Sequence, residues 1–143
     1  MEGKMDIPKV KRFSRGDRLY VQAQQIWIIL VAFVMHSKRD PKAPDTITYG
    51  ELAEKMGRPD RRAGITLARQ LGIVGELCKA NDLPTLNAIV VNQDSGMPGD
   101  HVVLRDHHTP KQEQADVMRQ DWFQLRVPTA GTFRKVWRAL QDM

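Results

Sequence analysis

The chain has 143 residues, 41% of them apolar and 27% charged, a size and balance that bury a core without disulfide or metal staples. Its net charge of +5 and pI of about 9.6 favour an anionic partner such as nucleic acid. The single cysteine, Cys78, excludes an internal disulfide framework and a cysteine-rich zinc site, and it suits a reducing cytoplasm.

Residues 1–16 read as a basic arm and 17–143 as one domain. Six basic and three acidic residues fall between Met1 and Arg18, a pattern that suits an arm lying along phosphates or a solvated tail. Ser14 and Asp17 give a capping signal for a first helix over about Asp17–His36. That helix is apolar on every side from Ile26 to Val34, so it is either central or shared with a partner subunit. No secretory leader is recognisable, because the apolar run Ile26–Met35 lies too deep and lacks a small-residue cleavage site. The uncharged stretch Leu19–Met35 is shorter than the roughly 20 apolar residues of a spanning helix and carries Gln22, Gln24 and Gln25. It predicts a buried helix and no membrane partner. A homodimer with Trp27 or Phe33 near its axis stands beside a monomer with this helix at its centre.

After a proline-bearing loop, Thr48 and Glu51 make a capping box for a second helix, which Gly57 and Pro59 stop. A third helix begins near Asp60. Leu67, Leu71, Val74 and Cys78 form its core stripe, and Gly72 and Gly75 predict a kink or break. Another face carries Arg62, Thr66 and Arg69, with Arg58 and Arg61 at the entrance. Leu86–Val91 reads as a strand, Asn92–Asp100 as a turn and His101–Arg105 as the returning strand, together a β-hairpin wing. A helix over Lys111–Phe123 follows. The last helix is capped by Thr129 or Thr132 and packs inward through Phe133, Val136, Trp137 and Leu140.

The fold expected from this order belongs to the α/β class but is mostly α. It has a winged helix-turn-helix core with one hairpin, a long buried N-terminal helix and C-terminal helices. The matching function is non-catalytic binding of double-stranded DNA. Arg58, Arg61, Arg62 and Arg69 would touch phosphate, and Arg62 or Thr66 would reach base edges. Two other readings use the same scaffold. One is a protein-interaction module. The other is a metal-dependent nuclease built on Asp94, Asp100, His101, Asp106, His107 and His108. No ligand spacing, phosphate loop or nucleophile elbow supports the last, so neither catalytic residues, metal ligands nor a cofactor is predicted.

Thr48-Tyr49-Gly50-Glu51-Leu52-Ala53, followed by Met56-Gly57-Arg58-Pro59 and Arg62-Ala63-Gly64-Ile65, resembles the DNA-binding domain of alkylguanine-DNA alkyltransferases and their alkyltransferase-like relatives. The resemblance covers Thr46–Gly99, with Val90-Val91 at the family's valine pair and Gly96–Gly99 at its glycine-rich loop. It implies DNA binding, with Tyr49 near a flipped nucleotide's phosphate and Arg62 or Arg61 entering the base stack. Leu86, Asn87, Ala88 and Ile89 stand where the family has its acceptor Pro-Cys-His-Arg, so alkyl transfer is not implied. The run Leu83–Asn92 with Ser95–Gly99 also looks like stretches in bacterial and phage proteins, which implies a prokaryotic or viral source.

Overall fold

A computed structural model describes residues 5–143; the first four residues of the expected arm lie outside the described residues. Residues 5–13 are exposed and belong to no helix or strand. Asp17 accepts from the Ser14 amide at 2.8 Å and from its hydroxyl at 3.1 Å, which closes a turn. The pair does not cap the first helix, which starts two residues later.

That helix, α1 (Leu19–Arg39), is the centre of the fold. It packs on α4 (Ala68–Ala80), α6 (Ala130–Gln141) and α5 (Pro110–Arg119). Ala23, Ile26, Leu30 and Val34 are fully buried on its inner side. Trp27 lies edge-on to Trp122, with ring centroids 5.6 Å apart and planes at 87°, and Phe133 stands 6.1 Å away. This ring cluster fills the space between α1, α6 and the 3-10 turn Trp122–Gln124. With Trp27 only 4% exposed, it lies inside the monomer and cannot stand on a dimer axis. By length and apolar composition α1 would also serve as a membrane span; here its inner side is the core of the domain.

The second helix, α2 (Tyr49–Lys55), begins as the sequence predicts. The Thr48 hydroxyl accepts from the Glu51 amide, and the Glu51 carboxylate accepts from the Thr48 amide, both at 3.1 Å. Gly57, at φ +81°, ends it. The Gly57 amide donates to Glu54 and the Arg58 amide to Ala53, which satisfies the last carbonyls and fixes the direction in which the chain leaves.

The expected third helix is two. A single turn, α3 (Ala63–Thr66), is followed by α4, and the joint is Leu67 at φ −101°, ψ 0°. The break therefore falls before the glycines. Gly75 sits inside an unbroken helix because an added Cβ there would meet the Asn87 amide at 2.5 Å and the Val103 side chain at 2.8 Å. It is a contact glycine, and its spacing in the sequence does not distinguish that from a hinge.

The predicted hairpin does not form. Leu86–Ile89 is a 3-10 turn, and Val90–Val91 (β2) pairs in parallel with Ile47–Thr48 (β1). No strand returns over His101–Arg105. All four residues of the turn are buried, and an apolar run without alternation does not separate a strand from a buried turn. The Asn87 amide, oriented to suit its neighbours, donates to the Val103 carbonyl at 3.1 Å and accepts from its amide at 2.8 Å. A side chain thus takes the backbone partners that a hairpin would have used. The described residues make a mostly helical domain with one two-stranded parallel sheet.

In the C-terminal part, Thr109 caps α5 through a second capping box, with Pro110 in the first turn. That helix stops at Arg119, short of the predicted Phe123. Thr129, not Thr132, caps α6.

Candidate nucleic-acid interface

The turn between α2 and α4 brings the predicted basic residues together. Asp60 organises it. Its carboxylate accepts from the Arg62 amide at 2.8 Å and from the Thr66 hydroxyl at 2.9 Å. These two bonds, the amide first, hold the Asp60 carboxyl below its usual range. Thr66 therefore donates its hydroxyl proton within the fold, which takes from it the predicted role as a donor to base edges.

Arg61, Arg62 and Arg69 are on the outside of this segment, all three exposed. Their guanidinium groups have no carboxylate partner among the described residues. Ala63, Leu67 and Leu71 turn the other side of the segment into the core. Ile65 stands out with the arginines at 71% exposure. The result is a ridge of cations around one apolar side chain. Ile65 belongs to the Arg62-Ala63-Gly64-Ile65 motif but not to the DNA contacts expected from the sequence. Its signal is nonetheless there: it is apolar but lies off the stripe of Ala63, Leu67 and Leu71.

Arg58 is half-buried, and its Nη2 donates to Gln22 Oε1 of α1 at 3.3 Å. The same glutamine oxygen accepts from Gln70 of α4 at 2.6 Å. Arg58 thus borders the cleft formed with Pro59, Asp60, Thr66 and Gln70, where Arg15 of the arm also lies. This neighbourhood joins the arm to the ridge, a link that no sequence pattern discloses.

Tyr49 is a bolt between three segments. Its hydroxyl accepts from the Gly99 amide at 2.8 Å, and its ring lies over Gly64, where an added Cβ would come within 3.8 Å of it. Because the oxygen only accepts in that bond, the hydroxyl proton remains for another acceptor. The loop above it is closed by the Asn92 amide to Met97 at 2.9 Å and the Gly96 amide to Asn92 at 2.8 Å. Tyr49, Gly64, Gly72, Asn87, Gly99 and His101 border a small hollow of about 30 Å³, water-sized and too narrow for a base.

The predicted Asp and His cluster is dispersed. Asp94, Asp100 and His107 are exposed. His108 does come close to Glu113 and Asp116, a set whose ligand atoms lie within 4.8 Å of one another. Arg105 fills the middle of that set. Its Nη2 donates at 2.8 Å to both Glu113 Oε1 and Asp116 Oδ2, and its Nε and amide also reach Glu113. The guanidinium already supplies the positive charge that a metal would bring, and a buried Arg–carboxylate clamp is the structural use of such a set.

Compared with family models, with curated proteins and with solved structures, the chain matches none.

Proposed function

We propose that this chain binds double-stranded DNA without catalysis, in the manner of a winged helix-turn-helix protein, through the ridge Arg61, Arg62, Ile65 and Arg69. The observation that carries the reading is the set of arginines without carboxylate partners among the described residues, around an exposed isoleucine, on a segment whose other side is core. Arginines held out along the turn from α2 into α4 suit phosphate oxygens, and Arg62 at the start of α3 also suits the edge of a guanine. An apolar side chain between them suits a thymine methyl or the gap between base steps. Arg58 and Arg15 extend the charge toward the arm, and net charge draws the whole chain to the duplex.

The resemblance to alkyltransferase DNA-binding domains supports the same surface, since it aligns Tyr49 and Arg62 with DNA contacts. The proton left on the Tyr49 hydroxyl is available to a phosphate. Alkyl transfer is no part of the reading: Asn87 occupies the acceptor position and engages its amide with Val103. The irregular Asn92–Gly99 loop, pinned by Tyr49, would stand in for the wing.

Two variants separate charge from shape. Arg62→Ala with Arg69→Ala is expected to weaken duplex binding more than tenfold at moderate salt. The salt slope should also become shallower by about one unit for each phosphate no longer neutralised. Ile65→Ala is expected to weaken binding with the slope unchanged. Unchanged affinity in the folded double variant removes the ridge from the interface.

A further inference from the structure

The side of α1 that faces away from the core has a repeat of its own. Val21, Gln25, Ile28, Ala32 and Met35 are spaced by four, three, four and three residues. Ile28 and Ala32 are exposed; Val21, Gln25 and Met35 are half-buried at the edges of this side, where Gln25 donates to the Met56 carbonyl at 3.4 Å and Met35 also packs on the core. That spacing suits the seam of a left-handed helix pair, whose contact positions recur every 3.5 residues on average, with Gln25 the one polar member. Beside it runs the segment 123–127. Ile28 and Ala32 share one hollow with Phe123 and Val127, and its lining has no charged residue. Phe123 is 63% and Val127 53% exposed.

We propose that this seam is the contact between two copies of the chain, packed antiparallel about a two-fold axis at Ile28. Three observations choose that occupant. First, the chain carries +5 overall, which opposes self-association, yet Leu19–Met35 holds no charge at all, so this surface meets itself without repulsion. Second, the spacing is close to symmetric about Ile28: Val21 and Met35 lie seven residues to either side, and Gln25 and Ala32 three and four. In an antiparallel pair, Ile28 meets Ile28 of the second copy, Gln25 meets the small Ala32, and Val21 meets Met35. A parallel pair would crowd the Lys38 and Arg39 ends together, and the antiparallel one separates them. Third, the area suffices for a reversible dimer. A 21-residue helix is about 31 Å long and ~10 Å wide, so its face offers roughly 300 Å². The five residues of the shoulder raise this to roughly 450 Å² per copy, or ~900 Å² in total, which suits a weak, reversible contact and falls below the ~1,200 Å² of stable ones. The proposal does not depend on the DNA reading.

The test is light scattering of the full chain over a concentration series, joined to cysteine crosslinking under mild oxidation. Buried Cys78, its thiol pushed up to about 12 by burial, does not interfere. The measured mass is expected to rise from 16.3 kDa toward twice that value with concentration. Ile28→Cys should crosslink to itself. Val21→Cys mixed with Met35→Cys should give the mixed dimer in preference to either self-linked dimer. Ala32→Arg, on an exposed position, should keep the helical spectrum and abolish the rise in mass. A mass that stays at 16.3 kDa overturns the proposal. So does self-linking of Val21→Cys in preference to the mixed pair, or flotation of the monomer with neutral phosphatidylcholine vesicles, which would give the face to a membrane.

Discussion

The Glu113 carboxylate is fully buried and accepts from five donors, three on Arg105 and two on Thr85. Burial pushes its pKa up, but the hydrogen bonds from Arg105 and Thr85 outweigh burial and leave it below the ordinary 4.5. A carboxyl lowered in the folded state adds stability that is complete above its unfolded pKa and is lost as pH falls through the folded one. Stability to urea should therefore drop as the pH goes below about 4.3, and less steeply in Glu113→Gln. Glu113→Ala removes three bonds from Arg105 and two from Thr85 and leaves Arg105 hydrogen-bonded to Asp116 alone, which should cost about 1.5–3 kcal/mol at neutral pH; a loss under about 1 kcal/mol, the worth of an exposed ion pair, would show that the clamp does not hold the fold. Cys78 behaves in the opposite way. Burial raises its thiol to about 12, so a thiol reagent at mildly alkaline pH should label it only at the rate of unfolding. Fast labelling of the native chain would contradict its place in the core.

Two glycines of α4 make a prediction about the element. Gly75 is in contact with Asn87 and Val103, whereas a Cβ on Gly72 would meet nothing within 4 Å. Gly72→Ala should stabilise the chain by about 0.5–1 kcal/mol through helix propensity. Gly75→Ala should destabilise it by roughly 1–3 kcal/mol through overpacking; thermal melts of the two decide, and equal shifts would refute the contact. The same helix shows how far elements are legible in the sequence. Capping boxes are local, so the start of α2 is readable from Thr48 and Glu51, and the end from Gly57. The stripe Leu67, Leu71, Val74 and Cys78 is readable from its period. The absence of the hairpin is not, because Leu86–Val91 is apolar throughout, and its course is set by an Asn87 side chain reaching Val103. Such a bond joins distant residues and leaves no periodic trace. The arginines of the candidate site are visible as a group, but their free or engaged state is not. Thr66 is tied to Asp60, and Arg58 is half-committed to Gln22 of α1, a partner 36 residues away.

At the scale of the molecule, the fold separates its surfaces. The basic ridge lies on the α2–α4 turn with the arm at its side. The uncharged seam lies along α1, and the charged clamp of Arg105 and Glu113 locks α5 to the segment before it. If the ridge is a phosphate-binding surface, the charge of the chain acts locally and the affinity must depend steeply on salt. The most direct measurement is the binding of a mixed-sequence duplex across a salt series from about 50 to 200 mM. With Arg15, Arg58, Arg61, Arg62 and Arg69 all engaged, log K should fall against log salt with a slope of about −4.5, and the Arg62→Ala, Arg69→Ala variant should give about −2.7. A slope near zero, or one that the double variant leaves unchanged, would contradict the assignment of this surface to DNA.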